Sequence, residues 1–314
     1  MDSSASINSE TCIPLIALPE VLEKNSEEMS LTAQKVVDAL RTSGFLLITS
    51  SYVPQSLQKQ AVQAAESILN RDERVIVHPT DPKKYIMLES LEGISKLSFS
   101  ESEEEILLRY WNALEEVKRQ LLKCIAVGLN LDWEYFTNLH RQNNSALRLL
   151  HYPGSSPIGD EFKASGDTQE PQIRCKPHSD YGSVTILLTD GVPGLQALIE
   201  KEWTPVPFEK GALIVNIGSL LSDWTNDNLQ ATLHRVVAVG ESKARTSLAF
   251  FADPDEEVSS SLKAKETSKV DTAAKSDLSV AEYIQWRSGG SGSERSGLAF
   301  TDGEAKRAKE ARAN

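Results

Sequence analysis

His178 and Asp180 stand two positions apart in the segment IRCKPHSD, and on an extended strand that spacing sends both side chains to one face. His234 follows 54 positions after Asp180, in the β-rich run TLHRVVAV. Two imidazoles and one carboxylate form a facial ligand set for a metal such as Fe(II), leaving open positions for further ligands and O₂. Alone the pattern is weak, because most histidines in such runs are structural. A second pair changes its weight. Arg245 and Ser247 are again two apart, eleven positions beyond His234, in ARTSLAFF. A guanidinium and a hydroxyl on one strand face make a receptor for a carboxylate, with two parallel charge-assisted bonds and one more. A surface arginine on an edge strand is the plainer reading, and the apolar neighbours Leu248, Phe250 and Phe251 argue against it.

These residues need a β framework, and the chain supplies one late. From Ala146 to Ala252 short β-rich segments are separated by Gly, Pro, Asp and Asn, the texture of a sandwich or jelly roll. Before about Ser100, helix and strand signals alternate. Apolar spacing predicts a helix over Leu31–Ser43 ending at Gly44, then a buried strand FLLIT. Pro54 opens a second helix to about Leu69. Ser102 with Glu105 reads as a capping box starting a long amphipathic helix to about Gly128. The polar stretch Gly154–Gln172 is long enough to rim a pocket. Asp253–Lys275 is charged and Ser-rich, read as a mobile loop, and Ser279–Trp286 as one more helix. The expected division is 1–140 as a helix-rich region packing on the core, 141–252 as the core, 253–288 as loop and helix, and 289–314 as a linker-like tail.

Composition excludes several classes. The chain has 314 residues, 40% hydrophobic and 25% charged, close to a soluble globular protein and unlike a disordered, collagenous or disulfide-scaffold chain. Its net charge of −12 disfavours nucleic acid, and no local basic patch offsets it. No apolar run reaches the roughly 18 residues of a membrane span. The opening MDSSASINSETCIPLIAL has neither the basic start nor the apolar centre of a secretory signal, and its acids disfavour a transit peptide. Three cysteines without metal spacing read as reduced thiols, Cys124 among them as core filler. The expectation is a cytoplasmic protein, monomer sooner than obligate oligomer, with no nucleic-acid or membrane partner.

His178-Ser-Asp180, His234 and Arg245-Thr-Ser247, in that order and spacing, resemble the Fe(II)- and 2-oxoglutarate-dependent dioxygenases of the isopenicillin N synthase-like family. The flanking RLLHYPG, HSDYGSVTILLTD, GLQ and VNIG…SDWTND agree, as do IPLIALPE and GFLLITSSYVP nearer the start. The resemblance covers roughly 13–252, and the RLLHYP and HSDYGS segments look most like fungal thymine hydroxylases. It departs from the family's habit at Leu150, Ser50-Ser51-Tyr52, Lys176 and Ser219, none of them a proposed ligand.

The resemblance implies an α+β (mixed α/β) fold: a double-stranded β-helix, or jelly roll, with helices packed on it mainly from the amino-terminal region. It implies Fe(II) on His178, Asp180 and His234 as the metal and catalytic centre. The co-substrate 2-oxoglutarate would use Arg245, Ser247 and Tyr152, and O₂ would be consumed in oxidising a small-molecule substrate, with release of succinate and CO₂. Hydroxylation leads, with desaturation and cyclisation as variants. Tyr85, Met87 and Phe251 occupy places that line the substrate pocket in relatives, and Tyr283 and Trp286 those of a lid. The alternatives are a 2-oxoglutarate-independent oxidase of the same family, a silent ligand-binding protein on this fold, and a zinc hydrolase, which has no need of the Arg245/Ser247 receptor. His151 reads as structural, facing away from Tyr152; His78 and His140 lack partners at metal spacing.

Overall fold

The computed structural model describes residues 13–97, 99–142, 144–154, 171–239, 243–262 and 278–287. Twelve strands are found among them: β1 (Leu15–Ala17), β2 (Phe45–Thr49), β3 (Ile76–Val77), β4 (Lys84–Leu88), β5 (Ser145–Tyr152), β6 (Ile173–His178), β7 (Val184–Thr189), β8 (Leu195–Ile199), β9 (Glu202–Pro205), β10 (Leu213–Ile217), β11 (His234–Val237) and β12 (Arg245–Ala252). They form an eight-stranded sheet, β1-β2-β10-β7-β12-β5-β4-β3, and a four-stranded sheet, β6-β11-β8-β9. Strands β1, β2, β3 and β4 come from before residue 140, so the amino-terminal region contributes half of the larger sheet's strands as well as helices.

Period-two alternation sorts the larger sheet's side chains into two cores. On β12, Leu248, Phe250 and Ala252 enter the core under the helices, while Arg245, Ser247, Ala249 and Phe251 face the smaller sheet. On β5, Leu147 and Leu149 take the helix side, and Arg148, Leu150 and Tyr152 the other. A one-residue slip in the β5–β12 pairing, which sets Arg245 opposite Tyr152 and Ser247 opposite Leu150, would turn the receptor into the helix core.

The helices are α1 (Glu27–Thr42), α2 (Gln55–Arg71), α3 (Leu91–Lys96), α4 (Glu101–Gly128), α5 (Ser219–Trp224) and α6 (Val280–Arg287). Of these, chiefly α1, α2 and α4 cover the outer face of the larger sheet. Helix α4 packs on α1 and α2, and α2 lies across β5 and β12. Trp111 of α4 meets Phe250 of β12 edge-on at 5.4 Å, both fully buried. Each such side chain contributes about 1.5–3 kcal/mol by leaving water.

Several boundaries differ from the sequence reading. Helix α1 starts four residues before Leu31, because Ser26 caps it by accepting from Met29 N at 3.0 Å. The capping box of α4 is Ser100 with Glu103, not Ser102 with Glu105: Ser100 accepts from Glu103 N, and Glu103 accepts from Ser100 N. Arg71 clamps the same carboxylate, which outcompetes the box two residues on. The stretch from Asp253 is held through Leu262 instead of loose, since Asp255 accepts from Arg141 N and Gln142 N at 3.0 and 2.8 Å. Trp224 belongs to α5 and to the core under the helices. Residues 155–170, 263–277 and 288–314 lie outside the described residues, and so do most of the pocket-rim loop and the tail.

Candidate active site

Strand pairing assembles the three metal-type residues. His178 ends β6, His234 begins β11, and the register sets them opposite each other, with Asp180 in the loop after β6. Nε2 of His178 and of His234 lie 3.8 and 3.7 Å from Asp180 Oδ1, and the two rings are 4.3 Å apart. One donor atom from each residue falls within 4.8 Å of the other two.

The surrounding bonds leave those three atoms aimed at one point. His178 Nδ1 lies 2.8 Å from Lys176 O, and His234 Nδ1 lies 3.2 Å from Thr232 O. A carbonyl only accepts, so each Nδ1 carries the proton and each Nε2 keeps its lone pair. Asp180 Oδ2 accepts from Thr185 Oγ1 at 2.6 Å and Asn216 Nδ2 at 2.7 Å, which leaves Oδ1 for a metal. Burial lowers the pKa of His234, and repulsion from His178 lowers it further, which favours the neutral imidazole. Burial acts to raise Asp180, but the two imidazoles with Thr185 and Asn216 outweigh it and hold the carboxyl below its usual range. A two-nitrogen, one-carboxylate donor set with fixed tautomers fits a ferrous ion.

These residues share a cavity, partly open to solvent, with Arg245 and Ser247. Arg245 is 1% exposed; its Nε donates to Val192 O at 3.2 Å and its Nη1 to Ser247 Oγ at 3.1 Å. Tyr152, from the Tyr-Pro dipeptide, lies under the guanidinium at 5.4 Å. The cavity therefore joins a metal-type triad to a buried arginine–serine pair whose chemistry suits a carboxylate.

Among the expected pocket residues, Phe251 lines the cavity. Tyr85 and Met87 do not line it directly; Tyr85 stands behind Arg148, at 4.7 Å from its guanidinium, and Met87 pairs with Arg148 in register. Tyr283 is no lid. Helix α6 packs outside the loop that carries Asp180, where the buried Arg287 donates to Tyr283 Oη at 3.1 Å and covers the Tyr181 ring at 4.7 Å. His151 turns away from the cavity to Thr246 Oγ1 at 3.2 Å, and buried His140 joins Phe136 O to Ser183 Oγ. Thr185, Asn216, Arg148, Lys83 and Cys175 are lining residues that spacing did not single out. Only the parity of their strand positions with known site residues carried a signal: Thr185 and Asn216 face each other on β7 and β10.

A family model described as the 2OG-Fe(II) oxygenase superfamily matches residues 143–254. The chain is 36% identical over 155 residues to the 2-oxoglutarate-Fe(II) type oxidoreductase ppzD of Metarhizium majus, covering 46% of this chain and 42% of that protein. It is 34% identical over 161 residues to the proline hydroxylase buaE of Petromyces alliaceus, covering 48% and 47%. The matches thus span less than half the length of these curated relatives. The fold is similar to that of a full-length Neurospora crassa protein in complex with alpha-KG, with TM-score 0.73 at 21% identity over 88% of this chain and 95% of that one. JOX2 in complex with 2OG, Fe and JA gives 0.70 at 22% over 94% and 88%. The matched residues 143–254 carry the His178–Asp180–His234 triad and the Arg245–Ser247 pair, and over that segment the chain is similar to the 2OG-Fe(II) oxygenase superfamily.

Proposed function

We propose that the protein is an Fe(II)- and 2-oxoglutarate-dependent dioxygenase of the isopenicillin N synthase-like class that oxidises a small-molecule metabolite, hydroxylation first, releasing succinate and CO₂. The observation that carries this reading is one cavity containing both the triad and the buried Arg245–Ser247 pair. His178, Asp180 and His234 would hold the iron, which when bound supplies O₂ activation coupled to decarboxylation of the keto acid. Arg245 and Ser247 would receive the distal carboxylate and set the co-substrate's reach toward the metal ligands. Thr185 and Asn216 keep Asp180 ionised and turned, so one oxygen stays free for coordination. Leu150, Leu187, Val236 and Phe251 line the cavity with apolar surface that excludes water and favours a C–H-bearing substrate. The receptor favours this reading over a 2-oxoglutarate-independent oxidase, which has no distal carboxylate to hold.

The test is anaerobic. Fe(II) followed by 2-oxoglutarate should produce the weak visible charge-transfer band of a keto-acid chelate, and succinate should form on admitting O₂ with a turning-over metabolite. His178→Ala and Asp180→Ala should lose both metal binding and band. Normal metal binding by either variant, or no band in the unaltered protein, refutes the reading.

A further inference from the structure

The inward face of β12 runs Arg245, Ser247, Ala249, Phe251, and the proposed co-substrate carboxylate occupies its first two positions. The register places Arg148 of β5 opposite Ala249, at the other end of the same face. There the Arg148 guanidinium lies 4.7 Å from the Tyr85 ring and 5.7 Å from the Phe251 ring, is 7% exposed, and lines the cavity. A guanidinium held against aromatic faces gains cation–π attraction there, and its N–H fork matches a planar two-oxygen group. Beside it are Leu150, Leu187 and Phe251, an apolar wall.

Charge points the same way. Among the described residues, the cavity lining carries Lys83, Arg148 and Arg245 but a single carboxylate, Asp180. Asp180 is already turned to the metal position and held by Thr185 and Asn216. Lys83 sits with Asp81 at 3.1 Å on the β4 side. Such a lining draws in an anion and repels a cation.

We propose that the substrate is a carboxylate with an apolar or aromatic body, and that Arg148 is the specificity-determining residue that binds this second carboxylate. The proposal rests on the dioxygenase reading, which assigns the Arg245 end to 2-oxoglutarate. It also explains why one cavity holds two arginines on a shared face of the larger sheet: one serves the co-substrate and one the substrate. The carboxylate end would be anchored at Arg148, with the body between there and the metal.

The experiment uses the full chain loaded with Fe(II) and saturating 2-oxoglutarate under anaerobic conditions. Calorimetry follows three matched probe pairs: phenylacetate and phenylacetamide, 4-methylbenzoate and its amide, hexanoate and hexanamide. At least one carboxylate should bind about tenfold or more tightly than its amide, a preference that collapses in Arg148→Gln. Arg148→Lys, which keeps charge but not the fork, should retain an intermediate preference. The affinity for 2-oxoglutarate should stay unchanged in both variants, which separates a specificity role from general damage. Equal binding of acids and amides, a preference that survives in Arg148→Gln, or binding of none of the three acids would overturn the proposal. A missing chelate band in the unaltered protein would instead overturn the dioxygenase reading, and the same calorimetry without co-substrate still reports on Arg148.

Discussion

Replacing Arg245 with Met tests the carboxylate receptor most directly. The side chain is 1% exposed and is braced by Val192 O and Ser247 Oγ, so its guanidinium is positioned before any ligand arrives. Methionine keeps much of the length and apolar bulk, which limits collapse of the cavity. In the proposed complex the distal carboxylate then loses its charged partner and keeps only the Ser247 hydroxyl. Removing one member of a buried, hydrogen-bonded charge pair costs about 2–5 kcal/mol. Taking about 3 kcal/mol, 2-oxoglutarate should bind roughly 100- to 200-fold more weakly. Metal affinity should hardly move, since Arg245 touches none of His178, Asp180 or His234 in its hydrogen bonds. The assay is anaerobic titration of the Fe(II)-loaded protein, read from the chelate band, against 2-oxoglutarate and against 2-oxobutyrate, which lacks a distal carboxylate. The unaltered protein should discriminate strongly between the two acids and the variant weakly. A 2-oxoglutarate affinity within about threefold of the unaltered protein, with discrimination intact, would refute the reasoning by placing the distal carboxylate elsewhere.

Gly218→Ala should destabilise the protein by about 1–3 kcal/mol and weaken metal binding, because the new Cβ would stand 2.2 Å from Gly182 O in the loop after Asp180; melting curves with and without metal check both effects. Burial pushes His140 down to about 3 from 6.5, so the unfolded chain binds a proton there that the folded chain does not as pH falls from 6.5 toward 3. Stability is therefore lost in that window, and His140→Asn should remove about 1.4 kcal/mol per pH unit of the slope seen in denaturant titrations. The hydrogen bond from Arg71 holds Glu103 down to about 2, so its contribution is present above pH 4.5 and lost as pH falls toward 2. Glu103→Gln should accordingly lower the melting temperature at pH 7 and match the unaltered protein near pH 2.

The site was legible where chemistry and strand parity coincide. His178 with Asp180 and Arg245 with Ser247 are pairs in which the period of two alone sends both members to one face. Their neighbours Leu248 and Phe250 then fall on the opposite, helix-covered face, as the core reading required. What spacing could not show is which distant strands meet. Thr185 and Asn216 steady Asp180 only because β7 and β10 pair in one register, and each alone is an ordinary polar residue in an apolar run. Arg148 looks like any strand arginine until β4 and β12 bring Tyr85 and Phe251 against it.

Helix ends were misread for a related reason. Ser100/Glu103 and Ser102/Glu105 are equivalent boxes on sequence, and Arg71 of another helix selects the first. Likewise nothing local says that α6 packs behind the loop that carries Asp180 instead of over the cavity; the Arg287 guanidinium over the Tyr181 ring does that. The sequence by itself determined the residue types, the alternating faces and the order of the chemical groups, since these follow from covalent spacing and strand geometry. Tertiary structure alone decided the partners of each group, because a hydrogen bond, a stacked ring or a shared cavity depends on elements far apart in the chain being brought within a few ångströms.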